Sequence, residues 1–262
     1  MTVSIITASY NYENYIKETI ESVINQTVQD WEMIIVDDGS SDNSVEIVKS
    51  YCNADKRIKL FQHEKGMNKG LAETLKLGIE KASGEWIVFL ESDDTITPDY
   101  LEEKYKVIAQ YPDVSFIFND INMFGNNEVI LEKQAYFKKQ KKRLSKYKFP
   151  TMLIDFFKKK SSNIIPTFSC VMCKKNLFEQ IDFDSPIKPL LDLFLWIQIS
   201  KKSVFYYVNK KLTNWRMHES SYVKRSKVSD FDFLMFNLKR LNFLYDKIPI
   251  GKLIMLTIKY KF

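Results

Sequence analysis

A chain of 262 residues with 45% hydrophobic and 27% charged side chains is long enough to bury a full core, and too ordinary in composition to be a stapled mini-scaffold or a disordered segment. Seven glycines and seven prolines leave no long flexible linker, no apolar run approaches the length of a bilayer span, and the N-terminus enters a strand-like segment directly, so a cytosolic protein is expected. The net charge of +6 conceals a split: residues 1–127 carry −11, residues 128–160 carry +8 and residues 161–262 carry +9, which suggests a first part that collects a cation and a second that faces something anionic.

In chain order, short β-branched runs at 3–6, 32–36, 58–61, 86–90 and 114–118 predict strands, and the amphipathic stretches between them predict helices. Residues 14–26 put Ile16, Ile20, Val23 and Ile24 on one stripe. Asp42 is placed to cap a helix over 44–52, a third helix covers 68–82 ahead of Gly84, and Pro98 behind Thr97 opens a fourth that runs to residue 110. This alternation predicts an α/β fold with a mostly parallel central sheet flanked by helices. Beyond Asn119 the regularity fades. The lysine-rich block 138–143 reads as a solvated segment; helices are expected at 152–160 and 189–201, strands at 204–208 and 212–217, and a helical stretch over 231–262 broken at Pro249 and Gly251. Cys170 and Cys173 lie three apart in a strand-like stretch, so they are expected on opposite faces as small core residues, one pair being too few for a structural zinc.

Sheets of this kind bind ligands beyond the carboxyl ends of their strands, which directs attention to Thr7-Ala8-Ser9-Tyr10-Asn11, Asp37-Asp38-Gly39-Ser40-Ser41-Asp42 and Glu91-Ser92-Asp93-Asp94. Carboxylates from the last two segments gather at one edge, and their repulsion is costly without a cation. Hard oxygen ligands with open positions suit Mg²⁺ or Mn²⁺. Turn and cap chemistry alone accounts for Gly39 and Asp42 but not for two adjacent Asp after a buried strand; for the second cluster the competing account is a helix N-terminus enriched in acids.

These three segments, taken with Val3-Ser4-Ile5-Ile6 and Ala82-Ser83-Gly84-Glu85-Trp86, resemble family 2 of the inverting glycosyltransferases, whose fold is GT-A, a Rossmann-like sheet. The resemblance covers residues 1–120 well and the remainder in patches. It implies a nucleotide-diphosphate-sugar donor, most often a UDP-sugar, a divalent metal (Mn or Mg), and transfer with inversion to a hydroxyl of a glycan or polyprenyl-linked acceptor. On the matching positions it implies that Tyr10 lies against the uracil ring, that Asp38 accepts the imide N–H, and that Ala8 is among the donor-binding residues. Glu91 takes the ribose hydroxyls, and Asp93, with Asp94 and His218, holds the metal. Glu91 stands where the family has Asp. The family's Ala-Arg-Asn-x-Gly stretch is matched by 74–78, where Leu75 replaces the arginine; Lys69 and Lys76, seven apart on one expected helix face, are candidates for the missing charge near the diphosphate, the alternative being solvated surface lysines. Leu191-Asp192-Leu193-Phe194-Leu195-Trp196 matches the family's acidic pair before Leu-Trp with Leu191 in place of Glu, leaving Asp192 as the general base. Trp215-Arg216-Met217-His218 matches a further segment, whereas His63 reads as structural.

The implied organisation is a donor-binding half over 1–127, an acceptor-side half with a basic insertion over 128–228, and a helical, basic C-terminal extension over 229–262. That extension suits the anionic inner face of the cytoplasmic membrane, with a protein-partner surface as the rival reading. Nucleic acid is not expected, since no binding motif accompanies the charge. Two other readings of the chain stay open: a non-catalytic glycosyltransferase-like subunit, and a nucleotidyltransferase, for which the first loop lacks the usual glycines and base.

Overall fold

A computed structural model describes residues 2–131, 146–147, 165–185 and 188–218. The expected helices at 152–160 and 231–262, the block 138–143 and the C-terminal extension lie outside the described residues.

The strands β1 (Val3–Ser9), β2 (Trp31–Asp37), β3 (Ile58–Gln62) and β4 (Trp86–Phe89) pair in parallel in the order β3-β2-β1-β4. Helices α1 (Ile16–Ile24), α2 (Ser44–Ala54) and α3 (Leu71–Lys81) connect them. Every residue of β2 is buried, the mark of a strand covered on both faces. Alternate residues feed two separate cores. Ile6, Ile34, Val36, Ile87 and Phe89 pack with Leu75 of α3 on one face, while Val3, Ile5, Met33, Ile35 and Val88 pack with Ile16, Ile20 and Val23 of α1 and Val48 of α2 on the other. Helix α3 lies so close to β1 that a Cβ on Gly78 would sit 2.4 Å from Ile6 Cγ2.

The sheet continues through β8 (Val171–Lys174), β6 (Phe116–Gly125) and β9 (Phe205–Met217), closed by β5 (Thr95–Ile96), with β7 (Lys146–Tyr147) also on β9. Helix α4 (Tyr100–Gln110) covers the second core and α5 (Leu191–Ile199) the first. Strand β8 is antiparallel to both β4 and β6, and β9 is parallel to β6. Hence β6 and β9 run with β1 to β4, and the sheet is mostly parallel in direction, with β8 reversed within it and the two-residue strands β5 and β7 reversed against β9. The expected boundary at residue 127 falls just after β6, within a stretch where a single sheet crosses it.

Several expectations are corrected. Strand β6 continues seven residues past 118 because its polar second half pairs with β9, where partners 119↔208 and 121↔213 bracket an irregularity; β9 accordingly joins the two strands expected at 204–208 and 212–217. Cys170 and Cys173 lie in the same core layer, because Cys170 belongs to a 3-10 turn, Phe168–Cys170, which breaks the alternation before β8 begins. Both are buried free thiols.

Candidate active site

The parallel strands end at one edge, as the pairings Ser9↔Asp37 and Asp37↔Gln62 require. The loops after β1 and β2 are stitched to each other there. Asn11 N–H donates to Ser40 Oγ at 2.9 Å, Ser41 N–H to Asn11 Oδ1 at 2.8 Å, Tyr12 N–H to Ser44 Oγ at 2.9 Å, and Glu13 N–H to Asp42 Oδ2 at 3.0 Å. Asp42 also receives the Ser44 N–H at the start of α2; burial works against its charge, yet these donors hold its carboxyl below the ordinary value. Tyr10 rides on this frame with its ring 45% exposed, an aromatic face presented to solvent at the edge where a base is expected. Ala8 instead packs against the core face shared with α3.

The two Asp after β2 have different tasks. Asp37 folds its own turn, with Oδ2 accepting Gly39 N–H at 3.1 Å and Ser40 N–H at 3.0 Å and Oδ1 accepting the Ser40 hydroxyl. Asp38 reaches across to the loop before α3: Lys69 N–H donates to Oδ1 at 2.7 Å and Gly70 N–H to Oδ2 at 2.9 Å, and His63 Nε2 stands 3.5 Å from Oδ1 and 3.1 Å from Thr74 Oγ1. A carboxylate has about four acceptor positions, so Asp38 retains capacity for a base edge while it secures this loop. The loop in turn packs on Gly39, whose φ of +83° and distance of 2.6 Å from a built Cβ to Gly66 O exclude a side chain.

That clamp also corrects the lysine reading. Helix α3 starts at Leu71, with Gly70 at φ 83° as its cap, because Asp38 holds the amides of residues 69 and 70 in a loop. Lys69 therefore shares no helix face with Lys76, and Lys76 pairs with Glu73 at 2.6 Å. Neither is brought to the acidic cluster.

That cluster follows β4. Asp93 Oδ2 accepts from His218 Nε2 at 2.8 Å, and both side chains are nearly buried. The His218 ring leans on Tyr15, centroids 5.0 Å apart. Glu91 accepts from the Thr167 hydroxyl; burial, then the charges of Asp93 and Asp192, push its carboxyl up to about 8. Asp192 thus lies within electrostatic reach of Glu91. It is the one residue of α5 that is not buried, an acid in the first turn of a helix whose only other polar side chain is Gln198. Asp94, expected beside the metal, is turned inward: it is wholly buried, with Oδ2 accepting from Ser169 Oγ at 2.6 Å and Oδ1 from Arg216 N–H at 2.9 Å. Burial and its acidic neighbours raise its pKa. Among the described residues no three His, Cys, Asp or Glu side chains surround one position. The pair that could hold a cation is Asp93 and His218, an oxygen and an imidazole donor whose chemistry fits Mn²⁺.

Sequence reasoning missed Arg216. Its Nε donates to Asp93 O at 2.8 Å and its Nη2 to Glu18 Oε2 at 2.6 Å, while its guanidinium lies 4.9 Å from the Tyr15 ring and 4.3 Å from that of Phe124. It ties the end of β9 to the acidic loop and to α1. Its place two residues before His218 was the available signal. Thr167 and Ser169 carried none, since nothing in their sequence neighbourhood distinguishes them from ordinary core-edge hydroxyls.

The glycosyl transferase family 2 model matches residues 4–182, well over half of the chain. The chain belongs to that family. This glycosyltransferase is 30% identical over 229 residues to the uncharacterized glycosyltransferase MJ1057 of Methanocaldococcus jannaschii, a match covering 86% of the chain and 74% of the relative. It is 31% identical over 227 residues to the glycosyltransferase GlyA of Streptococcus pneumoniae, covering 84% of the chain but 31% of that longer protein. Among solved structures it resembles residues 1–349 of Staphylococcus aureus TarS in complex with UDP-GlcNAc, with a TM-score of 0.72 at 17% identity over 99% of the chain and 71% of TarS 1–349. That likeness establishes the GT-A type of α/β sheet expected from the sequence.

Proposed function

We propose that this family 2 glycosyltransferase moves a sugar from a UDP-sugar to a hydroxyl of a glycan or polyprenyl-linked acceptor, inverting the anomeric centre in one displacement. The observation that carries the reading is the acidic loop after β4, where Glu91 lies within electrostatic reach of Asp93 and of Asp192 from a distant element, at the same sheet edge from which the hydrogen-bonded loops after β1 and β2, with the exposed Tyr10, also leave. The complex of the TarS neighbour with UDP-GlcNAc supports the choice of donor.

Tyr10 covers one face of the uracil ring and the remaining acceptor capacity of Asp38 takes its imide N–H. Glu91 receives a ribose hydroxyl. Asp93 and His218 would hold a divalent cation, which when bound would neutralise charge growing on the departing diphosphate. Asp192, on the separate element α5, takes the proton of the acceptor hydroxyl as its oxygen bonds the anomeric carbon and the bond to the diphosphate breaks. No enzyme nucleophile is required. Among the described residues no helix is long and apolar enough to cross a membrane; we place the protein at the inner face of the cytoplasmic membrane through its basic C-terminal residues, a reading that co-sedimentation with anionic vesicles tests.

The test of the donor reading is a panel of nucleotide-sugars with Mn²⁺, scored by donor hydrolysis and by calorimetric titration with UDP. Metal-dependent UDP binding and turnover of one sugar nucleotide are expected. A chain that binds no uridine nucleotide with Mn²⁺ would refute it and favour a non-catalytic role.

A further inference from the structure

Two hydroxyls outside the sequence motifs hold the acidic loop. Thr167 Oγ1 donates to Glu91 Oε2 and lies 3.4 Å from Asp94 Oδ2. Ser169 Oγ donates to Asp94 Oδ2 at 2.6 Å and accepts from the Glu91 backbone N–H at 3.0 Å. A hydroxyl has one proton to give, so Thr167 serves Glu91, its nearer partner, while Asp94 is served by Ser169 and the Arg216 amide.

The turn that carries them is fixed from behind. Thr213 of β9 donates to Ser169 O at 3.0 Å, and the buried Lys104 of α4 donates to Cys170 O at 2.7 Å. Glu91 therefore leans on a rigid abutment. The support matters because Glu91 has three side-chain torsions and stands beside two charges of its own sign, Asp93 and Asp192. With that torsional freedom in a crowded loop, the side chain needs a partner to fix its direction, and the Thr167 hydroxyl is that partner at Oε2.

We infer that Thr167 and Ser169 are positioning residues for the donor: Thr167 aims Glu91 at the ribose, and Ser169, through Asp94, sets the loop that presents Asp93. This rests on the donor reading above. Neither residue touches the reacting atoms, so the signature is a binding defect and not a chemical one.

The experiment compares wild type with Thr167→Val, Thr167→Ser and Ser169→Ala in the full chain, by titration with UDP in Mn²⁺, titration with Mn²⁺ alone, and steady-state kinetics. Thr167→Val should weaken UDP binding about tenfold, the order of one net hydrogen bond, and raise the donor KM with kcat little changed. Thr167→Ser should restore wild-type affinity. Ser169→Ala should weaken binding of Mn²⁺ itself. Should the valine chain fail to fold, Thr167→Ala against Thr167→Ser makes the same comparison. Unchanged UDP affinity in the valine variant, or a serine variant as weak as the valine one, would overturn the role of the Thr167 hydroxyl; unchanged Mn²⁺ affinity in Ser169→Ala would overturn that of Ser169. Wild-type protein that ignores UDP would instead overturn the donor reading, and this proposal with it.

Discussion

Lys104 is wholly buried in α4, with Nζ donating to Cys170 O at 2.7 Å and lying 3.4 Å from Ile117 O, and with the Tyr100 ring 4.7 Å away. Among the described residues no carboxylate is bonded to it. Burial lowers its pKa from 10.5 to about 7, and the neighbouring Cys173 thiol, pushed up by its own burial, offers no thiolate at neutral pH. The folded chain thus releases a proton near pH 7 that the unfolded chain keeps until near 10.5. Between those values the unfolded state binds more protons, so stability rises with pH; it is fully present above 10.5, falls as pH drops toward 7, and is flat below. At about 1.4 kcal/mol per pKa unit, the shift from 10.5 to about 7 is worth at most roughly 5 kcal/mol. Lys104→Met removes this dependence and the hydrogen bond to Cys170 O, which costs about 1 kcal/mol. Urea unfolding of both proteins at pH 7, 8, 9 and 10 is the assay, since every other titration cancels in the difference. The methionine variant should be the more stable near pH 7, and its advantage should shrink by up to about 1.4 kcal/mol per pH unit on going alkaline. A stability difference constant across this range would refute the reasoning.

Asp93→Ala should leave the fold intact and abolish the metal dependence of UDP binding; calorimetry with and without Mn²⁺ decides, and undiminished metal-dependent affinity would reassign the ligand. Asp192→Asn keeps shape and removes the base, so UDP affinity should persist while turnover drops by about 10² or more; near-normal kcat with the true acceptor would transfer the role elsewhere. Gly39→Ala places a Cβ 2.6 Å from Gly66 O at a φ of +83°, a strain of about 1–3 kcal/mol. A lowered Tm together with weakened UDP binding is expected, and a variant that melts and binds as wild type does would show that this close approach is dispensable.

The parallel strands and their helices were legible because their patterns are clear: β2 has the unbroken apolar run Met33-Ile34-Ile35-Val36, and α1 repeats its apolar side chains every three or four residues. The reversed strand β8 was not legible as such, since four residues carry no mark of direction, and the polar half of β6 hid a strand whose partner arrives some ninety positions later in the register Asp120↔Lys211. At the site, the structure brings Asp93 against His218 and puts Asp192 within electrostatic reach of Glu91. Asp94 and Lys69 illustrate the limit. Adjacent acids alternate between outside and inside, and only the donors supplied by Ser169 and Arg216 determine which is which. Whether Lys69 belongs to α3 depended on a carboxylate thirty-one residues earlier.

Strand β9 has a consequence for how the protein comes into being. Arg216 meets Glu18 across 198 positions of chain, and His218 meets Asp93 across 125. During synthesis the acidic loop leaves the ribosome long before these partners exist, and closing such wide loops costs entropy before any contact is gained. Binding competence is consequently a property acquired at the end of folding. A nascent N-terminal portion holds the loops after β1 and β2 but lacks Ser169, Arg216 and His218, the late-arriving groups bonded to its acidic loop.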